Sequence, residues 1–395
     1  FRAQAAPALA AARKCLTDSH WRVQVQAALT IASIGRPAAE AVPDLVKRLD
    51  DPNRSIRNAA VWALENIGEP AAVELGKVVM AKDPVARQYA LIALTRIGPA
   101  AQVAFGAVRP LLNDPDRETR RLAMVALDRI GKGSAQAVDD LLPLLLNKDK
   151  DLRGFAAGAL RNTPVNPKQL IPVVEKALAS DDPGIVQDAI GVVGWMGSGA
   201  KPLMPHMHRI IKQAKDSSAR KAAFALAGVE EDASLLMPVI IAALEDKEAT
   251  DRRDAAYAVA RIGEPAKQAI PLLIAQLDDP DGATRAAAAE ALGAMGPLAK
   301  DALPRLVKMF DDEHDYPQWE ALWTVGRIGE PAKQYIPALE KMLAGPAVPL
   351  RVPAAHSLLK LGADPAKVVP ALKETIVSRE HWLRAMSAEA LGMCG

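Results

Sequence analysis

The 395 residues carry 49 Lys and Arg against 47 Asp and Glu, a formal charge of +2. That balance excludes a general binder of phosphate backbones, which needs a concentrated basic excess. Half of the residues are apolar but only 4% are aromatic, so the core must be Ala, Leu, Ile and Val at close helix–helix distances.

In chain order, Gly35, Gly68, Gly98, Gly131, Gly197, Gly263, Gly296, Gly329, Gly362 and Gly395 form a ladder with a step of 33 residues. One step, from Gly68 to Gly98, is 30 residues, and Pro164 and Glu230 occupy the two rungs that lack Gly. A fixed period from end to end means one supersecondary unit stacked about twelve times. Such a chain presents an extended surface, not a globule around one pocket. Residues 1–395 are therefore expected to form a single continuous solenoid. Its regularity should break near 69–98, at 162–167 (Asn162-Thr163-Pro164-Val165-Asn166-Pro167) and at 215–234, where the usual Arg is displaced.

The stretch 279–312 shows the unit. Asp279-Pro280-Asp281 opens a helix, Asp being favoured near an N-terminus and Pro tolerated in the first turn. The run from Thr284 to Leu292 continues it, and Met295-Gly296 closes it with a left-handed stop. Four residues before a rung stands Leu64, Leu94, Leu127, Leu160, Leu226, Leu292, Leu358 or Leu391. Eight before it stands Ala60, Ala90, Ala123, Ala156, Ala255 or Ala288. This spacing marks one helical face, and the small residue lets a neighbour approach.

A second helix follows each rung. Eight positions on comes a proline (Pro43, Pro172, Pro205, Pro238, Pro271, Pro304, Pro337, Pro370), which suits a helix's first turn. An apolar face such as Ile270, Leu273, Ile274 and Leu277 follows. Each unit is thus predicted as two antiparallel helices, without strand patterning. A 33-residue period also suits ankyrin repeats, but the Thr-Pro-Leu-His turn is missing and the first helix, at about four turns, is too long.

The pattern Asp51-Pro52, Arg57, Ala60, Leu64, Ile67-Gly68, Pro70 resembles the HEAT repeat, closest to the bacterial HEAT-like repeats of the phycobilisome-lyase type. The resemblance covers the whole chain. It implies an all-α, right-handed α-solenoid of about twelve helix pairs, and says little of chemistry, since such folds host scaffolds, lyases, hydroxylases and DNA glycosylases. Both ends cut the solenoid at one phase, Phe1 just before a rung and Gly395 on one, without a polar capping repeat. The chain therefore reads as an excerpt of a longer protein. It opens Phe1-Arg2-Ala3 with no visible signal peptide, and its compartment is left open. No uninterrupted apolar run approaches the ~18 residues of a membrane helix. Cys15 and Cys394, near opposite ends, are not expected to pair in an extended chain.

Two basic series stand out. Eleven residues before a rung lies Arg57, Arg87, Arg120, Arg153, Arg252, Arg285, Arg351 or Arg384. It reads either as an anion-binding stripe or, preferably, as an Arg–Asp ladder through Asp51, Asp114, Asp246, Asp279 and Asp312. Such a ladder is known in HEAT-type repeats, and planar Arg suits bidentate pairing with carboxylate. Twelve residues after a rung lies Lys14, Lys47, Lys176, Arg209, Lys308 or Lys341, about 150° from the centre of that helix's apolar face. In related solenoids the second helix lines the concave surface, where these residues would form a broken basic ridge. Ordinary solvated lysine is the bland reading; a guide for an acidic partner segment is the functional one. The ridge lapses at Ala242 and Ala275, beside Val239 and Leu272 on the same face. An apolar patch flanked by basic ends suits a protein better than a nucleic acid.

Trp319 and Trp323, with Trp62, Phe224 and Tyr257 at the register of Trp323, suggest aromatics packed between stacked units, with a contact stripe as the alternative. His206 and His208 point about 200° apart on a helix and cannot easily share a metal. Asp311-Asp312-Glu313-His314-Asp315 reads as a solvated turn rather than a cation site. Glu313-His314 and Glu380-His381 reverse the His-Glu order that the hydroxylase relatives of this fold use. No phosphate loop, His-Glu-x-x-His or zinc cysteine pair occurs. The expectation is a non-enzymatic scaffold or adaptor with no catalytic residue, metal or cofactor, binding a protein partner of acidic or mixed apolar and acidic surface. A bilin-lyase-like, chromophore-handling subunit and, further behind, a nucleic-acid-binding protein are the alternatives.

Overall fold

Asp-Pro starts and Gly stops cut the chain into alternating long and short helices, seen in a computed structural model that describes residues 6–131, 135–161, 165–214 and 217–394. Phe1, the Asn162-Thr163-Pro164 segment, Lys215 and Gly395 lie outside the described residues. The first compact unit, Phe1–Ala177, holds α1 (Ala6–Cys15), α2 (Trp21–Ile34), α3 (Val42–Val46), α4 (Arg54–Ile67), α5 (Glu69–Val78) and α6 (Pro84–Ile97). It continues with α7 (Phe105–Val108), α8 (Arg117–Ile130), α9 (Ala135–Leu141), α10 (Lys150–Arg161) and α11 (Pro167–Leu178), which ends at the division. The second unit, Leu178–Gly395, holds α12 (Pro183–Met196), α13 (Met204–Gln213), α14 (Ser218–Leu226), α15 (Met237–Leu244), α16 (Ala249–Ile262), α17 (Ile270–Gln276) and α18 (Gly282–Ala294). It continues with α19 (Leu303–Lys308), α20 (Asp315–Ile328), α21 (Ile336–Ala344), α22 (Val348–Lys360), α23 (Pro365–Thr375) and α24 (His381–Gly392). No strand occurs among the described residues.

Even-numbered helices are the first of each pair and stack on one another within each unit, with the odd-numbered helices packed beside them. Each unit is an α-solenoid segment. The predicted faces hold: Ala60, Ala90, Ala123, Ala156, Ala255 and Ala288 are fully buried, as are Leu64, Leu94, Leu160, Leu226 and Leu292, while Leu391 in α24 is half-buried. With alanine at the contact, backbones come close enough for direct bonds between stacked helices. Thr324 Oγ1 donates to the Ala289 carbonyl at 2.8 Å, and Ser357 Oγ to that of Leu322 at 2.6 Å. At Gly326 an added Cβ would lie 2.3 Å from Ser357 Oγ and 2.7 Å from its Cα, so only Gly fits between α20 and α22.

The helix stops differ from the expected left-handed turn. Gly68 has φ 77° and ψ −134°, and Gly329 has φ 78° and ψ −136°. This is the mirror of extended backbone, open to Gly and closed to residues with a Cβ. A 3-10 turn follows most stops and precedes the second helix, with Pro in its first turn, as at Pro271 and Pro304. Pro172 and Pro370 depart from this rule and sit inside α11 and α23. There Asn166-Pro167 and Asp364-Pro365 have already started the helix.

Between Gly68 and Gly98 the 3-10 turn is missing and α5 starts directly at Glu69, which accounts for the short step. Across 215–234, α14 has only 9 residues, and the positive-φ stop moves to Gly228 rather than the Glu230 rung. The stretch Pro84–Asn113 is long and apolar enough for a membrane span by composition. Gly98, with φ 67°, interrupts it, and α6 buries Ala90, Leu91, Ala93 and Leu94 within the first unit.

Candidate functional site

The Arg series before each rung is a structural ladder. Arg252 Nε and Nη2 donate to Asp279 at 2.7 and 2.8 Å, and Arg285 does the same to Asp312 at 2.7 and 2.6 Å. Arg87 reaches Asp114 at 2.9 Å. The same guanidinium also clamps the loop before its own helix: Arg285 Nη1 donates to the carbonyls of Asp279 and Pro280, as Arg57, Arg120, Arg153, Arg252 and Arg384 do in their units. Each Asp in turn accepts the N–H two residues on, as Asp312 does from His314. Burial pushes Asp312 up, but Arg285 and that N–H hold it below the usual carboxylate value. The acidic turn after Asp311 is thus mainly a ladder acceptor.

Where the period fails, the ladder adapts. Arg57, before the short step, stacks on the Tyr89 ring at 4.8 Å. Arg351 turns to Glu374 at 2.6 Å. Arg220 replaces the displaced rung and bonds Asp246 at 3.1 Å and also Asp251.

The second basic series behaves differently. Lys14, Lys47 and Lys176 in the first unit, and Arg209, Lys308 and Lys341 in the second, are all exposed. Among the described residues none of the six bonds a carboxylate, although their neighbours Arg13 and Arg305 pair with Asp44 and Asp278. The structure brings Lys14 and Lys47 together on one cleft between α1 and α3. Arg209 lines another, with Asp181 and Val186. Val239 on α15 and Leu272 on α17 are half-buried rather than fully exposed. Each offers part of an apolar side chain, on helices that touch.

The other candidates resolve as follows. Trp62 is 47% exposed and does not pack between units, whereas Phe224, Tyr257, Trp319 and Trp323 are half-buried. His208 Nε2 lies 2.5 Å from Glu230 Oε2, so the Glu on the empty rung serves as a partner for His208. No group of three or more metal-type ligands converges among the described residues. Cys15 and Cys394 are free thiols. Sequence reasoning missed Glu320, which is buried on α20. Its only sequence signal is a carboxylate set between Trp319 and Trp323 on the helix face expected to pack.

The family model for HEAT repeats matches residues 7–75, 74–161, 204–293, 237–321 and 270–360. No curated protein matches the chain. Among solved structures, the Kap95:Nup1 complex aligns with a TM-score of 0.54 at 14% identity, over 98% of this chain and 56% of that one. Kap121p aligns at 0.49 and 13% identity over 98% and 53%, and Kap121p bound to Nup53p at 0.47 and 14% over 97% and 49%. The chain spans about half the length of these solved chains, and the likeness is one of fold.

Proposed function

We propose, from the premise that the chain belongs to the HEAT-repeat family, that it is a non-enzymatic scaffold or adaptor holding a protein partner along its second helices. The observation that carries this reading is the contrast between the two basic series. Ladder cations are spent on carboxylates and carbonyls of the fold, while the six ridge cations are exposed and reach no carboxylate among the described residues. Cations held in one register, with no carboxylate partner among the described residues, raise the rate of encounter with an acidic surface. Val239 and Leu272 supply apolar contact between Arg209 and Lys308. The matching partner has an acidic or mixed apolar and acidic surface, and its binding needs no cofactor. Within each unit the ridge is read as lining the concave side of the helix stack. The resemblance to phycobilisome-lyase repeats is taken here as kinship of repeat, not of reaction.

Binding kinetics against a partner captured from the native cell test the proposal. Replacing Lys47, Arg209, Lys308 and Lys341 by Glu should slow association and flatten its salt dependence. Replacing Val239 and Leu272 by Ser should speed dissociation. Unchanged rates in both variants refute the ridge. A visible absorbance band in the purified protein, or a steep salt-dependent affinity for DNA or RNA, would move the function to chromophore handling or nucleic-acid binding.

A further inference from the structure

Tyr316, Trp319, Glu320, Trp323 and Arg327 follow one another on α20 at helical spacing and line one face. Glu320 is only 5% exposed, and its Oε1 accepts no hydrogen bond; the nearest cationic atom, Arg327 Nη1, is 3.7 Å away on a half-exposed side chain. A second carboxylate, Glu290 on the neighbouring α18, adds a weaker repulsion to the burial that pushes Glu320 up. Burial and the nearby Tyr257 of α16 push the Tyr316 phenol up, although α18 lies between their helices. The intervening α18 carries alanine from Ala286 to Ala289.

Three more polar atoms are buried without a partner beside this group: Nε1 of Trp319, Nε1 of Trp323 and Nδ1 of His356 on α22. Trp323 packs on Trp319 at 5.5 Å and on His356 at 4.0 Å between ring centroids. Four orphaned buried atoms thus belong to α20 and its neighbour α22. A buried polar atom without a partner is costly, and native folds rarely tolerate several together unless something external satisfies them.

We infer that the face of α20 carrying Tyr316, Trp319, Glu320, Trp323 and Arg327 binds an arginine side chain presented by a partner polypeptide. The orphans ask for both halves of such a residue. Glu320 needs a cationic donor, and a guanidinium brings five N–H groups in a plane that can also stack on an indole. The two indole N–H groups need acceptors, which the main-chain carbonyls of the same segment provide. Lysine offers a point charge without the stacking plane. Burial pushes Glu320 up to about 7, opposed by Arg327 and reinforced by Glu290, so an arriving cation should drive off a proton. His356 on the α22 side, held down at about 4 by burial and by Lys360 and Arg327, stays neutral at that pH. The site is independent of the ridge and stands if the ridge binds nothing.

The test uses the full chain with the amide-capped peptide acetyl-Ala-Arg-Ala, followed by the indole N–H resonances in two-dimensional NMR. The expected result is a saturable shift of the Trp319 and Trp323 signals, identified with Trp319→Phe and Trp323→Phe, while those of Trp21 and Trp62 stay put. Acetyl-Ala-Lys-Ala should bind several-fold more weakly and acetyl-Ala-Glu-Ala not at all. Glu320→Gln, which keeps the shape, should weaken binding at least tenfold with the remaining resonances unmoved. At pH 7 the binding heat of the wild type should vary with the ionisation heat of the buffer, and that of Glu320→Gln should not. Absence of a saturable indole shift, equal affinity in Glu320→Gln, or preference for the Glu peptide would each overturn the inference.

Discussion

The bidentate Arg285–Asp312 pair ties α18 to the turn that starts α20, and its removal gives a quantitative test of the ladder. The two side chains are 9% and 8% exposed, and contacts of 2.7 and 2.6 Å join them. Breaking a buried pair from one side leaves the other charge stranded, at about 3–5 kcal/mol. Arg285→Ala also frees the Asp279 and Pro280 carbonyls, and Asp312→Ala frees the His314 N–H. Each single variant should therefore fall near the top of that range. The double variant should cost less than the sum of the two singles by about 2–3 kcal/mol. Arg36–Glu69 spans one repeat in the same way but is 68% and 59% exposed. Its coupling should stay below about 1 kcal/mol. Repeat stacks need not unfold in one step, so the readout is native-state hydrogen exchange of α18 and α20 amides, with urea melts alongside. Additive effects at Arg285 and Asp312, within about 0.5 kcal/mol, would refute the ladder as the link between stacked helices.

Two further outcomes follow from burial and charge. Leu292→Ala removes a fully buried side chain and should cost roughly 2–5 kcal/mol, whereas Lys308→Ala should change stability by less than about 0.5 kcal/mol; thermal melts ranking Lys308→Ala as the worse variant would contradict the facing of both helix series. Glu320 has its folded pKa raised from 4.5 to about 7, so the stability it contributes is whole below pH 4.5 and is lost as pH rises through about 7, on the order of 3 kcal/mol. Glu320→Gln should flatten that decline in urea melts between pH 5 and 8, and an unchanged pH profile would show that the carboxyl is solvated.

Period carried most of the fold into the sequence. A residue type that recurs every 33 positions does so because the same neighbour recurs, so buried Leu and Ala, Asp caps and ladder Arg could be assigned from spacing alone. The errors arose where local chemistry outranked period. Pro172 and Pro370 sit inside helices because an earlier Asn-Pro or Asp-Pro had begun them. Gly228 took the stop from the Glu230 rung because only Gly can adopt its positive φ. Arg57 kept its register but faced a unit three residues short, and found Tyr89 instead of a carboxylate.

The candidate sites were legible to opposite degrees for the same reason. Ridge cations repeat, so their exposure follows from the geometry of one helix. The Glu320 cluster repeats nowhere. Tyr257, Glu290, Trp323 and His356 share one register on successive even helices, yet aligning them yields only a broken aromatic stripe, with Glu290 as a gap. What sets them apart is the alanine run of α18, Ala286 to Ala289, between the helices that carry Tyr257 and Tyr316. Repeated core and ladder positions hold the stack together and the exposed ridge repeats as well, so what distinguishes one partner from another has to reside in the positions that differ. The cluster is a place in the second unit where such differences gather round a buried carboxyl whose Oε1 accepts no hydrogen bond, and there the sequence of one repeat cannot be inferred from its neighbours.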